Sequence, residues 1–475
     1  MDKELKQQID SWTNADEHQN VIDTLEKISP SKRNFEETGL LARAYNYIGK
    51  YETALALLES TLDEGAQDTN WNFRMGYALY NMDRIKEALS YFTKANELTP
   101  DDEDTIDFIR CCNKEMPFKN RVDAFWQWFL QNEAELSRIV EKRSEYDADD
   151  IIRFITQGTE LITENVYFNI GGGYEFTFSI EGNSHLFYLY PYLISRMPEK
   201  LKGKWRFFPY NQGTDNSFAF QMYGVEVDMS EVHVAVGYCE ERNDFTVSFY
   251  EKNLCALPED QSYNAFYIML ETMLGEGLSY QYISEVKRMD KMGKGMFPLP
   301  ALRRYITETL KDNGKKVFDN PQEVFASYRL EPQENEELRY DVVAGSTCFY
   351  GLVSQYYQND TELFDNMNQF GAQAVFLAFP YESNNEEQKK VMKFRYDLED
   401  RIEREILKPE GLGLLLGGAT GTECHYMDFL LYDVHAFMEK VVPVLHEYPQ
   451  YSFYLSDFRQ HCRLIKLSES EEDNR

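Results

Sequence analysis

GLLLGGATGTECHYMDFLLYD, residues 413–433, places a glycine cluster between two apolar segments. A glycine loop that binds phosphate must lead from a strand into the N-terminus of a helix, where unpaired N–H groups face the anion. Here the cluster leads into a second strand-like segment, and no GKS or GKT follows it. The stretch therefore predicts a β-hairpin, with GGATGTE at its tip and glycines that only reverse the chain.

The hairpin lies at the centre of a regular alternation of strands and helices. GAQAVFLAFP, from Gly371, is apolar on both faces and predicts a central strand. SNNEEQKKVMKFRYDLEDRIEREIL predicts a helix before the hairpin, and Asp433 can cap a second helix after it. YSFYLSD, from Tyr451, is polar on one face and predicts an edge strand. The order β-α-β-β-α-β predicts a ferredoxin-like domain over residues 342–475, with an acidic tail.

Alternation along the second hairpin strand separates two faces of the predicted sheet. Met427, Phe429 and Leu431 have the parity that suits packing under the helices. In a two-layer fold the opposite face needs a covering domain or a partner, and a domain is the expected cover in a chain of this length. That face carries the sheet-face candidates Cys424, Tyr426, Asp428 and Tyr432.

The sequence contains no recognisable metal or catalytic motif. Cys424 and His425 are adjacent on a strand and point to opposite faces, so they cannot both hold one metal ion. His461 or Cys462 could each add one ligand, but no ligand spacing supports such a mixed site. HExxH and GxSxG are absent from the sequence. We therefore assign no catalytic residue, no metal and no cofactor.

A second pattern, with a period of 34 residues, organises the N-terminal part of the chain. A frame that starts at Thr69 and the frame before it share small and apolar positions. This pattern resembles the tetratricopeptide repeat, which implies stacked pairs of antiparallel helices. Residues 5–30 resemble a degenerate preceding pair, and 103–115 a cap helix. The shared positions are Leu41, Ala42, Ala54, Leu58 and Thr61, then Met75, Gly76, Ala88, Phe92, Ala95 and Pro100.

The resemblance implies a groove that binds peptides or protein segments and is lined by the first helix of each pair. The alternative is a groove that is filled by a downstream helix of the same chain, and the pattern does not separate the two. The side chains that this register directs into the groove are Arg43, Asn46, Phe73, Tyr77, Tyr80 and Asn81.

Residues 117–318 predict a separate α+β domain that begins with an aromatic-rich helix. The segments FWQWFLQNEAEL, YEFTFSIEGN, GKWRFFPYNQ and MLGEGLSYQYISEV resemble an uncharacterised bacterial family with no assigned activity, some of whose members occur near toxin–immunity loci. The resemblance carries no catalytic residue with it. Residues 319–341 contain two prolines and an acidic run, which predicts a connector to the last domain.

Composition limits the classes of function. The chain has 475 residues, enough for several domains, and 49 Lys plus Arg against 81 Asp plus Glu give a formal charge of -32. Such a charge repels nucleic acid and anionic membranes and favours basic partners. No signal peptide is recognisable, no segment approaches the ~20 apolar residues of a membrane span, and the seven cysteines lack a disulfide spacing. We expect a cytoplasmic protein.

These observations together lead to one hypothesis and one alternative. The hypothesis is an interaction protein in which the helical repeats, residues 1–116, and an acidic α+β body bind another protein or peptide; neutralisation of a toxin is one version of it. The alternative is an enzyme of unknown reaction whose repeats recruit its substrate, which only the geometry of a site could reveal.

Overall fold

A computed structural model describes residues 3–100, 102–335, 337–381 and 385–469, without the side chains of 385–388. The chain forms two compact units, Met1–Pro117 and Phe118–Arg475. The first is helical and the second combines helices with sheets, so the predicted order of a helical region followed by an α+β region is confirmed. Within the described ranges, no helix is both long enough and apolar enough to cross a membrane. The predicted helix start at Ser383 and the tail residues 470–475 lie outside the described residues.

The helical unit consists of short helices that pack in pairs. Its described α-helices are α1 (Lys3–Asn14), α2 (His18–Leu25), α3 (Phe35–Tyr47), α4 (Tyr51–Glu59), α5 (Leu62–Gly65), α6 (Thr69–Asn81), α7 (Ile85–Leu98) and α8 (Glu103–Glu115). α3 packs against α4 and α6 against α7, and these two pairs fall in the two frames of the 34-residue pattern. The helices expected within 5–30 and 103–115 are present as α1, α2 and α8.

Local sequence explains how these helices start and how closely they pack. Asn34 begins α3 with a capping box, since its side chain accepts from the Glu37 N–H while the Glu37 carboxylate accepts from the Asn34 N–H. A Cβ atom on Gly76 would lie 2.9 Å from the Phe92 ring, so glycine lets α6 and α7 approach closely. The spacing of small residues in the sequence therefore has a direct structural cause.

The larger unit contains mixed elements of very different length. Its described α-helices are α9 (Phe118–Glu141), α10 (Ala148–Thr159), α11 (Tyr190–Ser195), α12 (Lys252–Ala256), α13 (Glu259–Leu274), α14 (Glu276–Tyr282), α15 (Leu302–Asp312), α16 (Tyr350–Gln358), α17 (Glu362–Gln369), α18 (Asn385–Ile402), α19 (Lys408–Glu410) and α20 (Val434–Leu445). A π-helical turn, Glu403–Leu407, joins α18 to α19. Its described strands are β1 (Phe168–Gly171), β2 (Glu175–Phe178), β3 (Arg206–Phe208), β4 (Ala219–Met222), β5 (Val225–Asp228), β6 (His233–Cys239), β7 (Asp244–Tyr250), β8 (Ile283–Arg288), β9 (Phe297–Pro298), β10 (Ala326–Arg329), β11 (Val342–Thr347), β12 (Gln373–Pro380), β13 (Gly413–Gly421), β14 (Cys424–Leu431), β15 (Phe453–Asp457) and β16 (Ile465–Ser468).

The main sheet of this unit has seven strands in the order β10-β11-β13-β14-β12-β15-β16, and each neighbouring pair is antiparallel. The four strands that the sequence predicts are adjacent in this sheet, as β13, β14, β12 and β15. β15 was predicted as an edge strand, which is wrong because β16 pairs with it. The alternation of β15 reports which of its faces is buried, and it contains no information about the strand beside it.

Residues 319–341, predicted as a connector, contribute to this sheet instead. They include β10, which pairs with β11 and forms the opposite edge of the sheet. Tyr328 and Arg339 from the same segment are buried. The segment has the polar and proline-rich composition of a linker. Tyr328 and Arg339 are nevertheless buried, while Phe325 and Arg329 stay exposed.

Both faces of the main sheet are covered by the larger unit itself. On one face, α18 and α20 enclose an apolar core that includes Leu398, Val441 and Phe429. The opposite face packs on aromatic side chains from α9 and from residues 186–193, such as Phe125 and Tyr188. Residues 227–310 form a separate core around the sheet β8-β7-β6-β9. The region predicted as one middle domain is therefore divided between two cores.

The glycines of the opening stretch lie within a strand and not in its turn. β13 pairs with β14 as an antiparallel hairpin, which confirms the predicted hairpin, and the turn consists of Thr422 and Glu423. Gly417 has a φ of 145°, and a Cβ atom there would overlap the Ser346 carbonyl oxygen of β11. These glycines permit β13 to lie close to the backbone of a neighbouring strand. A glycine-rich sequence alone is compatible with this role and with a turn.

Candidate functional site

The helical unit contains a cavity of about 370 Å³ that opens between α3, α6 and α8. Four of the six side chains predicted for the groove line this cavity: Arg43, Asn46, Phe73 and Tyr77. The other lining residues are Tyr47, Thr69, Asn70, Arg74, Asp102, Asp104, Thr105 and Phe108. We define these twelve residues as the groove.

Tyr80 and Asn81 do not line the groove. The Tyr80 hydroxyl donates a hydrogen bond to the Glu115 carboxylate, and Asn81 Nδ2 donates to the Tyr77 carbonyl at 2.9 Å. Both residues lie in the last turn of α6, where polar side chains commonly bond to nearby groups. The Tyr80 ring contacts the Phe108 ring of the groove, with centroids 5.5 Å apart.

Aromatic rings form one wall of the groove. The Phe108 ring from α8 contacts the rings of Phe73 and Tyr77, with centroids 5.6 and 5.5 Å away. The rings of Tyr47 and Tyr77 have centroids 6.3 Å apart, and the His18 ring stacks on Tyr47 with centroids 4.5 Å apart. Phe108 was missed because α8 was interpreted only as a solvating cap. Rings at these separations provide a rigid apolar surface at a small cost in conformational entropy.

Two arginines and two aspartates, Asp102 and Asp104, are the charged residues of the groove. The Arg43 guanidinium lies over the Tyr47 ring, 5.5 Å from its centroid. Arg74 is half-buried, and burial together with the nearby Arg43 charge lowers the pKa of Arg74 to about 10, so both arginines remain charged at neutral pH. Among the described residues, neither guanidinium has a hydrogen bond or a carboxylate at ion-pair distance. Arg74 was missed, although it follows Asn70 by one helical turn and precedes Tyr77 on the same stripe of α6.

Gly39 provides the space that Arg74 occupies. A Cβ atom on Gly39 would lie 2.7 Å from Arg74 Nη1, so the absence of a side chain on this turn of α3 allows the guanidinium to settle there. The position is inside a helix, where glycine costs about 1 kcal/mol relative to alanine. The glycine therefore serves the placement of the arginine and not the stability of the helix.

Asn46 adds a directional polar group to the floor of the groove. It is buried, with 4% of its surface exposed, and its Nδ2 donates to the Arg74 carbonyl at 3.1 Å. Its Oδ1 has no hydrogen-bond partner in the described structure.

The sheet-face candidates are in the core of the larger unit. Tyr426, Asp428 and Tyr432 are buried and Cys424 is partly buried. The Tyr432 hydroxyl donates to the Tyr188 carbonyl at 2.8 Å, which ties the sheet to the aromatic layer that covers it. The chain itself thus covers this face, and these side chains are enclosed within the larger unit.

Asp428 forms a buried ion pair with Arg339 that the sequence did not suggest. Arg339 Nη1 and Nη2 donate to the two Asp428 carboxylate oxygens, and Nη2 also donates to the Tyr328 hydroxyl at 3.3 Å. Neither ionised side chain has more than 1% of its surface exposed. Aromatic rings enclose the guanidinium, with the Phe458 centroid 4.5 Å and the Tyr426 centroid 5.2 Å from its central carbon. The geometry is that of a structural anchor between residues 319–341 and the sheet.

Cys424 and His425 occupy different environments, as strand alternation predicts. Burial raises the pKa of the Cys424 thiol to about 12, so it stays protonated at neutral pH. His425 is on the helix-covered face, where its Nδ1 shares a hydrogen bond with the Thr420 hydroxyl at 3.1 Å. Over the residues that the structure describes, no three His, Cys, Asp or Glu side chains converge as metal ligands would.

The burial of His425 predicts a specific response to acid. Burial and, to a smaller extent, the Arg395 charge lower the pKa of His425 from 6.5 to about 4. Between about pH 4 and pH 6.5 the unfolded chain binds a proton at His425 that the folded chain does not bind. The unfolding free energy therefore falls as the pH falls. Relative to His425→Phe, the wild-type protein is expected to lose about 1–2 kcal/mol of unfolding free energy between pH 7 and pH 5. Urea unfolding at both pH values measures this difference, and equal losses in the two proteins would contradict it.

No protein-family model matches this sequence, and no curated protein matches it. Neither the tetratricopeptide resemblance nor the resemblance to a bacterial family is therefore supported by a family match. A function has to be inferred from the geometry of the groove.

Proposed function

We propose that the helical unit is a tetratricopeptide-type interaction module that binds an extended, acidic segment of another protein in the groove. The observation that carries this proposal is the pair of Arg43 and Arg74. Two guanidinium groups line one aromatic cavity together with Asp102 and Asp104, and within the described ranges no carboxylate lies at ion-pair distance from either guanidinium. The Arg43 charge helps to lower the pKa of Arg74, so the two guanidinium groups disfavour each other, and an incoming anion relieves that cost.

The chemistry of the groove suits a peptide better than a small anion. Carboxylate side chains of the partner would accept charge-assisted hydrogen bonds from Arg43 and Arg74, each of which contributes about 1.5–3 kcal/mol. Apolar side chains between the acidic residues would pack on Tyr77 and Phe108.

The charge of the groove changes the expected type of partner. The formal charge of -32 on the whole chain favoured a basic partner. Charges more than about 10 Å apart are largely screened at ordinary ionic strength, whereas contacts inside the groove are not. Arg43 and Arg74, which form no ion pair with Asp102 or Asp104 in the described structure, are therefore the groove residues that favour carboxylates on a partner.

We also propose that the larger unit contains a ferredoxin-like core, formed by β12–β15 with α18 and α20. The spatial order β13-β14-β12-β15 supports this, because strands from the two halves of the β-α-β-β-α-β segment are interleaved. Strands β10 and β11 on one side and β16 on the other extend this core to seven strands.

Binding of a fluorescent decaglutamate peptide to the full-length protein tests the groove. Fluorescence polarisation is expected to show saturable binding, which Arg74→Gln weakens about tenfold or more because one charge-assisted contact is lost. Gly39→Ala should also weaken binding, since the new methyl group displaces the Arg74 guanidinium while helix propensity improves.

The matched controls separate the groove from general electrostatics. Arg110→Gln removes the same charge from α8 at an exposed position that is paired with Asp107, and it should leave the affinity unchanged. Decaglutamine should bind far more weakly than decaglutamate. Equal affinity of Arg74→Gln and Arg110→Gln, or equal binding of the two peptides, would refute an acidic partner in the groove.

A further inference from the structure

The larger unit contains a cavity of about 370 Å³ where α13 meets α14, and we call it the α13–α14 cavity. Each helix contributes a glutamate and a tyrosine four residues apart, a spacing that places both side chains on the same side of a helix. These lining residues are Tyr267 and Glu271 from α13, and Glu276 and Tyr280 from α14. Gly275, with a φ of 88°, joins the two helices and turns the chain between them.

The two glutamates of this cavity differ in how their carboxylates are paired. Glu276 is buried, and its carboxylate accepts hydrogen bonds from the Ile180 N–H at 2.9 Å and from the Asn211 N–H at 2.7 Å. Glu271 is half-buried, and among the described residues its carboxylate has no hydrogen bond and no basic side chain at ion-pair distance. The Glu276 carboxylate is therefore structural, whereas the Glu271 carboxylate is available to a ligand.

The charge of the cavity is negative. The charged residues among those that line it are Glu271, Glu276 and Glu285. Glu285 is exposed, and its carboxylate lies 2.8 Å from Lys287 Nζ, so Glu271 and Glu276 determine the charge inside. Two carboxylates that share a partly desolvated site disfavour each other, and a cation beside Glu271 relieves that cost.

Aromatic side chains give a second, independent indication of an organic cation. Tyr267 and Tyr280 have 42% and 45% of their surface exposed, and the Tyr280 ring packs on Phe187 with centroids 4.7 Å apart. All three residues line the cavity. The face of an aromatic ring attracts an ammonium ion by about 0.5–2 kcal/mol. A metal ion suits these walls less well, because it needs several oxygen ligands and only the Glu271 carboxylate is free.

We propose that the α13–α14 cavity is a second binding site, for a small molecule that carries a primary ammonium group. The ammonium group donates to the Glu271 carboxylate, and the hydroxyl groups of Ser279 and Ser284, which also line the cavity, accept from its other N–H groups. The aliphatic part of the ligand packs on Tyr267 and Tyr280. A cavity of about 370 Å³ is within the range of small-molecule sites. This ligand chemistry is opposite to that of the groove, whose arginines favour carboxylates.

Pentylammonium, 1-pentanol and pentanoate are suitable probes because they share one alkyl chain and differ in charge. Saturation-transfer NMR on the full-length protein, in about 0.15 M NaCl to screen exposed carboxylates, is expected to show saturable binding of pentylammonium. We expect a Kd of about 1 mM, a typical affinity for a ligand of this size. Pentanol and pentanoate should bind at least tenfold more weakly, because neither brings a positive charge to Glu271.

Glu271→Gln keeps the shape of the side chain and removes its charge, so the affinity for pentylammonium should fall about tenfold or more. The variant is expected to fold, because it removes a charge that burial makes unfavourable. Glu259→Gln makes the same change at an exposed position at the start of α13 and should leave the affinity unchanged. Tyr267→Ala should weaken binding about threefold, while Tyr267→Phe keeps the ring and should keep the affinity.

The pH dependence of binding provides a readout that does not require a variant. Burial raises the pKa of Glu271 to about 7, with smaller contributions from the charges of Glu276 and Glu181. Burial also raises the pKa of Glu276, and ionisation of either glutamate favours a cation. Tyr267 stays neutral in this range, because burial raises its pKa above 10. The affinity for pentylammonium should therefore rise about tenfold from pH 6 to pH 8.

Three results would overturn the assignment of this site. The first is the absence of saturable pentylammonium binding, and the second is binding of pentanol as tight as that of pentylammonium. The third is equal affinity of Glu271→Gln and Glu259→Gln for pentylammonium, which would place the bound amine on the general acidic surface.

Discussion

Asp428→Ala is expected to lower the unfolding free energy of the larger unit by about 3–5 kcal/mol, because it leaves the Arg339 guanidinium buried without its counter-charge. The aromatic rings around Arg339 stabilise the cation only in part, and water cannot reach it. Hydrogen-exchange mass spectrometry of peptides from β14 and α9 measures the change in the larger unit separately from the helical unit.

A double variant distinguishes the loss of a contact from the burial of an uncompensated charge. Arg339→Met combined with Asp428→Leu removes both charges and fills the space with apolar atoms, and it is expected to recover most of the stability that Asp428→Ala loses. If Asp428→Ala costs less than about 1 kcal/mol, Arg339 is not held in a dry environment in solution, and the ion pair is not an anchor.

Gly417→Ala is expected to destabilise the same unit by about 3–5 kcal/mol. Its φ of 145° is unfavourable for alanine, and the new methyl group would collide with the Ser346 carbonyl oxygen. β11 would have to separate from β13, with loss of their shared hydrogen bonds. Thermal unfolding of the purified protein measures the change.

Gly182→Ala is the matched control for Gly417→Ala. Gly182 also has a positive φ, 77°, but a Cβ atom added there would have open space within 4 Å, so only backbone strain of about 1 kcal/mol is expected. If both variants lose the same stability, the collision with β11 is relieved at no cost. In that case Gly417 is important only for its backbone conformation.

The sequence predicts the elements that depend on local patterns. The two helix pairs follow from small residues at fixed spacing, such as Gly76 and Ala88, and the centre of the main sheet follows from segments that are apolar on both faces. Asp433 caps α20 as predicted, with its side chain accepting from the Ala436 N–H at 3.0 Å. These features are readable because their cause lies within a few residues along the chain.

The features that sequence analysis missed depend on contacts between distant residues. Arg339 is 89 residues from Asp428 and lies in a segment with the composition of a linker, so no local pattern marks it as buried. β10 and β16 are four-residue edge strands with mostly exposed side chains, which have no apolar signal. Helical spacing places Arg74 on the groove side of α6, so the sequence could have predicted this residue. Whether its guanidinium is paired depends on how the helices pack, which the sequence does not show.

The anchoring of residues 319–341 to the main sheet limits where recombination can divide the coding sequence. Asp341 accepts hydrogen bonds from the Glu423 and Cys424 N–H groups at the tip of the β13–β14 hairpin, and Arg339 neutralises Asp428 further along β14. A recombination event that kept only codons from 342 onward would discard both partners at once. The heritable module is therefore longer than the four-stranded pattern suggests, and it reaches at least as far upstream as β10.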